Sequence, residues 1–308
     1  MVARENCCEV EKEFTDREVR VPARHIGVTC GSDHHSMESQ ERWTPGAGDG
    51  LVPGRPWDIG RPIGPEPRLE VTWACTSQEV REAQRLRYRV FAEELGARLA
   101  ASADAAPGFD IDGFDPHCEH LIVWANNGVR RRAVGTYRVL PPAGARRAGG
   151  LYADGEFDLS SVDALRPDML ELGRSCIDAE HRQGSVILLL WGSLVSFMQR
   201  NRLRWMIGCA SVSMRDGGHA AASLWRGLSE THMAPDPWRV LPRCPLPVDD
   251  LRQDLKVEAP PLIKGYLRCG AKLLGPPAWD PDFGTADLPL LLDIDALPRR
   301  YQKHFGGA

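Results

Sequence analysis

The sequence has no apolar run long enough to cross a membrane and no excess of basic charge. Its longest apolar run, Val186–Trp191, is far shorter than the ~20 residues of a helix that spans a bilayer. The formal net charge is −4, which argues against nucleic-acid binding. The first residues are rich in glutamate and contain no apolar segment typical of a secretion signal. We therefore expect a cytoplasmic protein.

Several motifs of well-understood chemistry are also missing. The chain has no G-x-x-x-x-G-K-[ST] phosphate loop, no G-x-G-x-x-G after a strand and no G-x-S-x-G nucleophile elbow. Its nine cysteines form no C-x-x-C pair, so we expect reduced thiols, most of them buried. The acidic stretch 110–120 lacks the spacing of a calcium loop, and we predict a turn and no metal site there. These absences disfavour nucleotide, serine-hydrolase and metal chemistry.

The composition divides the chain into two parts. Half of the residues between Thr44 and Pro67 are glycine or proline, and the segment before them is polar with little periodicity. Such a segment cannot bury enough apolar surface to fold, so we predict that residues 1–67 form a disordered arm. With 43% hydrophobic and 26% charged residues, the chain can form an ordinary core. We expect one domain over residues 68–305.

Hydrophobic periodicity predicts alternating strands and helices in this domain. Strands are predicted at Leu69–Trp73, His120–Ala125, Ala133–Leu140, Leu170–Ile177 and Trp205–Val212. Helices are predicted at Ser77–Leu95, capped by Ser77, at Ser185–Arg200 and at Gly218–Glu230. Leu262–Leu274 and Leu288–Leu292 are expected to close the domain. This order predicts an α/β fold with a mixed sheet.

Four charged segments are spread along the predicted domain, at Arg87–Phe91, Asp112–Asp115, Gly135–Pro141 and Glu171–Asp178. In this order and spacing they resemble the acyl-homoserine-lactone synthases and, more closely, the ornithine N-acyltransferases labelled "hemolysin-like". Both groups belong to the GNAT acyltransferase superfamily. Further segments extend the resemblance over residues 68–305, among them Cys118–Val123, Tyr152 with Glu156–Leu159, Gly208–Ser211, Pro260–Leu267 and Asp287.

The resemblance implies a fold, a reaction and its partners. The fold would be the GNAT fold, with a mixed, partly splayed central sheet flanked by helices. The reaction would transfer a 3-hydroxyacyl group from acyl carrier protein to the α-amino group of L-ornithine, the first step of ornithine lipid biosynthesis. No cofactor would be needed beyond the phosphopantetheine of the carrier, with coenzyme A the less favoured donor. Because the product is a lipid, peripheral contact with the inner membrane is also expected.

Glu171 is the candidate catalytic residue that the resemblance implies. In this superfamily the corresponding strand splays from its neighbour, and a carboxylate there could remove the proton of the attacking amine. GNAT enzymes typically react by direct attack, which agrees with the absence of a nucleophile motif. The alternative is that Glu171 and Arg174, three residues apart and so on opposite faces of a straight strand, serve separate structural ion pairs.

The resemblance also implies two binding sites. Arg87, Asp112, Asp115 and Arg138 match charged positions that form a buried network near the amine substrate in lactone synthases, and with Arg174 they are the candidate substrate-binding residues. A purely structural network is the alternative for each of them. The loop that opens the second predicted helix is the candidate phosphopantetheine site, through Arg182, Gly184 and Ser185.

Other readings of the sequence remain open at this stage. Arginine runs at 130–132, 146–147 and 200–204 could bind an acidic carrier protein, or could be ordinary solvated surface. The same scaffold could acylate another amino acid or make a homoserine lactone. The label "hemolysin-like" could also denote a membrane-acting protein without catalysis, although the sequence contains no strongly amphipathic basic helix.

Overall fold

A computed structural model describes residues 67–99, 107–182, 184–299 and 301. The arm predicted for residues 1–67 lies outside the described residues except for Pro67. Ten strands are present in the described part: β1 Arg68–Trp73, β2 Glu119–Asn126, β3 Arg131–Leu140, β4 Phe157–Asp158, β5 Met169–Ile177, β6 Trp205–Ser213, β7 Leu241–Pro242, β8 Lys272–Leu273, β9 Ala278–Asp280 and β10 Thr285–Asp293. The α-helices there are α1 Ser77–Tyr88, α2 Pro142–Ala148, α3 Ser185–Asn201, α4 His219–Ser229 and α5 Pro261–Arg268.

Eight of these strands form one mixed sheet in the order β1-β2-β3-β5-β6-β10-β8, with β9 also paired to β10. All neighbours are antiparallel except β5 and β6, which are parallel. The connection between them is α3, as a parallel pair requires a crossover. Strands β4 and β7 form a separate two-stranded sheet. The predicted α/β fold with a mixed sheet is thus confirmed.

Alternation along β2 explains how the two main helices cover opposite faces of the sheet. Leu121, Val123 and Ala125 join the core under α3, whereas Ile122 and Trp124 pack with residues of α1. Helix α3 is apolar on most sides and buries Leu190, Leu194 and Met198 completely. The position of each helix therefore follows from the two-residue period of the strand it covers.

The first helix differs in detail from the sequence prediction. Its N-cap is Thr76, whose hydroxyl accepts the backbone N–H of Glu79, and not Ser77. After Tyr88 the helix continues as a π-helical segment, Arg89–Glu94, which carries it to the predicted end near Leu95. Within the described residues, none of the helices combines the length and the apolar character needed to cross a bilayer.

Candidate active site

The central sheet opens into a cleft between its two parallel strands. Strands β5 and β6 pair only over Met169–Glu171 and Trp205–Ile207. Beyond that point β5 runs on to Ile177 along β3, and β6 runs on to Ser213 along β10. The strands therefore diverge, and their facing edges line one pocket. This is the partly splayed sheet that the sequence resemblance implies.

A β-bulge in β5 shapes one wall of this cleft. Thr136 pairs with Cys176 and Arg138 with Gly173, so that Arg174 and Ser175 together stand opposite Tyr137. Arg174 has a φ of 49°, in the left-handed region that non-glycine residues rarely adopt. The bulge turns the Arg174 side chain into the cleft, where the Glu171 side chain also lies. The expectation of opposite faces is therefore wrong, because it assumed a straight strand.

Glu171 lies at the point where the strands begin to separate. Its side chain is buried and accepts backbone N–H groups from Tyr152 (2.7 Å) and Ala153 (2.8 Å). No cation among the described residues pairs with it, which removes the alternative of a structural ion pair at this position. Burial raises the pKa of Glu171 to about 7, although the two N–H bonds and the Arg138 charge lower it in part. A carboxyl group with this pKa can exchange a proton with an amine near neutral pH.

Behind the cleft, three arginines and three aspartates form a buried ion-pair network. Arg87 Nε lies 2.9 Å from Asp110, and its Nη2 lies 2.7 Å from Asp115. Arg138 Nη1 contacts Asp115 at 3.1 Å and also contacts Asp112. Arg174 closes the network, with Nε 3.2 Å from Asp110 and Nη2 3.1 Å from Asp112.

The charges of this network compensate one another. Burial by itself raises the pKa of Asp115, but the adjacent Arg87 and Arg138 outweigh it and lower that pKa to about 2. In the same way, Arg138 and Arg174 lower the pKa of Asp112 despite its burial. Asp112 and Asp115 are thus held as carboxylates beside the arginines that they pair with. The acidic stretch at 110–120 forms this network and not only a hydrogen-bonded turn.

The structure brings all five predicted substrate-binding residues together, but only two of them line the cleft. Arg138 and Arg174 contribute to its wall. The Arg87 side chain has no exposed surface, and Asp112 and Asp115 lie behind the two arginines. We therefore expect Arg138 and Arg174 to contact a bound molecule, and the other three to hold them in place. Asp110, which also pairs with Arg87 and Arg174, was not among the predicted binding residues.

A second group of carboxylates lines the cleft and was not predicted as a site. Oxygens of Glu156, Asp280 and Asp287 lie within 4.8 Å of one another. Burial and the charge of Asp287 raise the pKa of Glu156, and burial raises the pKa of Asp287. The sequence does hold one signal for this group. Asp287 directly precedes the apolar run of β10. A charged residue in such a buried strand needs an ion-pair partner or a functional role.

Two cysteine thiols also line the cleft, at Cys118 and Cys209. Burial raises the pKa of Cys118 to about 12. Burial and the neighbouring Glu156 raise the pKa of Cys209 well above its usual range. A thiol acts as a nucleophile only as its thiolate. Neither residue is therefore suited to form an acyl-enzyme, and direct attack by the amine remains the favoured route.

The predicted phosphopantetheine residues lie in the loop that follows β5. Arg182 forms a two-point ion pair with Glu94, with both N–O distances at 2.7 Å. Gly184, at a φ of 96°, precedes α3, and the space where its side chain would lie is open. Ser185 is the first residue of α3. None of the three lines the cleft itself, and their role in binding the donor stays a prediction.

Comparison with known proteins identifies the family. Residues 86–192 match the family model of the acetyltransferase (GNAT) domain. The chain is 35% identical over 286 residues to the L-ornithine N(alpha)-acyltransferase of Brucella abortus (strain 2308), covering 88% of this chain and 96% of that protein. It is 34% identical over 252 residues to the protein of the same name from Agrobacterium fabrum, covering 78% of this chain and 85% of that protein.

Among solved structures, the chain is similar to the AHL synthase LasI, with a TM-score of 0.45 and 14% identity over 79% of this chain and 97% of that one. The sequence matches carry the assignment and confirm the resemblance found in the charged segments. They also remove the reading of a membrane-acting protein without catalysis. The chain belongs to the L-ornithine N(alpha)-acyltransferase family and is an acyltransferase with the GNAT fold.

Proposed function

We propose that this acyltransferase transfers a 3-hydroxyacyl group from acyl carrier protein to the α-amino group of L-ornithine, as the first step of ornithine lipid biosynthesis. The acceptor follows from the curated relatives, which are named L-ornithine N(alpha)-acyltransferases. The observation that supports the chemistry is the buried Glu171 carboxylate. Its pKa of about 7 suits a general base, and it lies where β5 and β6 begin to separate.

In the proposed reaction, Glu171 takes a proton from the α-ammonium group of the acceptor. The freed nitrogen lone pair attacks the thioester carbonyl and forms a tetrahedral intermediate. The C–S bond then breaks, and the departing sulfur takes up the second proton of the nitrogen. Beyond Ile207, β5 and β6 no longer pair with each other. Their facing edges offer backbone N–H groups to the carbonyl oxygen and to the pantetheine amides.

Two features favour a carrier protein over coenzyme A as the donor. The loop at Arg182–Ser185 lacks the full R/Q-x-x-G-x-G/A pattern that holds a pyrophosphate in GNAT folds. Arg132 at the start of β3 pairs with Asp178 and Glu180 after β5, and Arg130, two residues before it, is exposed. An acidic carrier would find positive charge beside the entrance for its arm. We expect the enzyme to work in the cytoplasm and to contact the inner membrane where its lipid product collects.

The proposal is tested by incubating the purified protein with 3-hydroxyacyl carrier thioester or the matching coenzyme A thioester. Each donor is offered with a panel of amino acids, and the products are identified by mass spectrometry. We expect N-acyl-ornithine, formed at least tenfold faster from the carrier thioester. A homoserine lactone, or acylation of another amino acid in preference to ornithine, would contradict the proposal.

A further inference from the structure

The carboxylates of Glu156, Asp280 and Asp287 come from three separate parts of the chain and converge in the cleft. Glu156 follows the short helical turn Tyr152–Gly155, Asp280 ends β9, and Asp287 lies within β10. One oxygen of each lies within 4.8 Å of the others. They line the same cleft as Glu171, and Asp287 lies on β10, away from the pairing of β5 and β6. We call Glu156, Asp280 and Asp287 the acidic cluster.

The acidic cluster lacks the cations that its charge requires. Both Glu156 oxygens are buried and have no hydrogen-bond partner among the described residues other than the weakly donating Cys209 thiol. Asp287 is 4% exposed and accepts a hydrogen bond from the Thr285 hydroxyl. No arginine, lysine or histidine of the described ranges lies within ion-pair distance of the three carboxylates. Buried carboxyl groups without a cation either take up protons, as the raised pKa values of Glu156 and Asp287 indicate, or bind a cation from a ligand.

The neighbouring network differs from the acidic cluster, because its carboxylates have partner cations. Asp110, Asp112 and Asp115 are each paired with arginine, and their charges are compensated within the protein. The acidic cluster faces Arg174 only at a distance, and that guanidinium already binds two aspartates. Glu171 in the same cleft also raises the pKa of Glu156. One side of the cleft therefore carries carboxyl groups that have no partner cation among the described residues.

We propose that the acidic cluster binds the ammonium group at the far end of the acceptor side chain, and so selects a diamino acid. This inference rests on the proposed function and adds the residues that recognise the second amine. An ammonium nitrogen with three acceptors at about 2.8 Å in tetrahedral directions places those acceptors about 4.6 Å apart. The three carboxylate oxygens lie within 4.8 Å of one another, which is compatible with this arrangement.

The reacting amine and the recognised amine need opposite environments. The reacting nitrogen must lose a proton, and the single carboxylate of Glu171 suits that step. A nitrogen surrounded by three carboxylates is instead held as an ammonium ion. Along β6, Ile207 pairs with Glu171 and Ser211 pairs with Asp287. Four residues of strand, about 13 Å, separate Ile207 from Ser211. The side chains of Glu171 and Asp287, which pair with these two positions, therefore leave room for a small amino acid between them.

The test compares L-ornithine with L-norvaline, which has the same carbon chain but no terminal amine. We expect the wild-type protein to prefer ornithine at least 100-fold in kcat/KM. E156Q and D287N should each lower kcat/KM for ornithine 10- to 100-fold, mainly through KM, and leave norvaline within threefold. E230Q, which alters an exposed glutamate after α4, serves as the matched control and should change neither value.

Each other result speaks against the inference. Equal use of ornithine and norvaline by the wild type, or an equal loss for both in E156Q, would overturn it while leaving the proposed function standing. Activity abolished by EDTA and restored by Mn²⁺ would show a metal site at the acidic cluster instead. Absence of acylation with every amino acid would overturn the proposed function as well. Thermal shift with 1,4-diaminobutane gives a second readout: it should stabilise the wild type and not E156Q.

Discussion

At the scale of single residues, carboxylates of similar intrinsic acidity behave differently because of their surroundings. Asp115 beside two arginines has its pKa lowered to about 2, whereas Glu171, held only by two backbone N–H groups, has its pKa raised to about 7. Glu156 lies next to other carboxylates, and its pKa is raised further from the ordinary value. The cleft and the ion-pair network behind it thus combine paired carboxylates, a candidate base and a candidate cation site.

Arg87 provides a direct test of the buried network. R87A leaves the three aspartates of the buried network with only two arginines, and we expect it to lower the free energy of unfolding by about 3–5 kcal/mol. R252A removes an exposed pair with Asp254 and should leave the free energy of unfolding nearly unchanged. Urea denaturation of the two variants measures the difference. An R87A protein as stable as R252A would show that the network contributes little to the fold.

At the scale of secondary-structure elements, the geometry of the cleft depends on one close contact where β5 and β6 separate. A Cβ atom on Gly208 would lie 2.7 Å from the backbone oxygen of Leu172. The glycine lets the strands approach at Ile207 before they diverge, and this approach sets how far the cleft extends toward Glu171.

Gly208→Ala is therefore expected to push β6 away from β5. We predict a loss of about 1–3 kcal/mol in stability and a clear decrease in kcat/KM. Gly227→Ala in α4, where no atom would lie within 4 Å of the new methyl group, is the matched control. It should stabilise the protein by about 0.5–1 kcal/mol, as glycine disfavours helix. Thermal unfolding and acylation assays compare the two variants, and a G208A protein with unchanged activity would argue against this contact.

Most regular elements were predictable from the sequence because they form apolar or periodic segments bounded by turn residues. The strands β2 and β3 are buried segments on either side of an Asn127-Gly128 turn, and α3 is apolar over four turns. The bulge in β5 was not predictable, because it arises from the register of β5 against β3 and no residue type in the sequence indicates it. The two-residue strands β7 and β8 are too short to show any period.

The candidate site could be predicted only in part for a related reason. Glu171 and the arginines lie in segments whose residues resemble the family, so their convergence was expected. Glu156 and Asp287 also lie in resembling segments, but they are far apart in the chain. Only the pairing of β9 and β10 brings Asp280 next to Asp287, and the sequence does not specify that contact.

At the scale of the whole molecule, the net charge of −4 conceals an uneven distribution. The arginine runs are partly neutralised: Arg131 pairs with Glu79, and Arg204 pairs with Asp293. Arg130 is exposed, has no ion pair within the described ranges, and lies two residues before Arg132, which pairs with Asp178 after β5. Arg200 lies in the last turn of α3, about 22 Å along the helix from that loop.

This placement predicts where a carrier protein docks. R130E should raise KM for the carrier thioester about 3- to 10-fold and leave KM for the coenzyme A thioester unchanged. R200E makes the same charge change at the far end of α3 and should alter neither value. Steady-state kinetics with both donors provides the measurement. An equal effect of the two variants on the carrier would show that docking does not occur at the loop.

The pH dependence of kcat/KM tests the role of Glu171 most directly. Because the base must be deprotonated, activity should rise as the pH increases through about 7 and level off above it. E171Q, which keeps the shape of the side chain, should lose at least ~100-fold in kcat/KM and show no such rise. Melting curves confirm that the variant is folded. An E171Q protein that retains the wild-type rate, or the same rise near pH 7, would contradict the account.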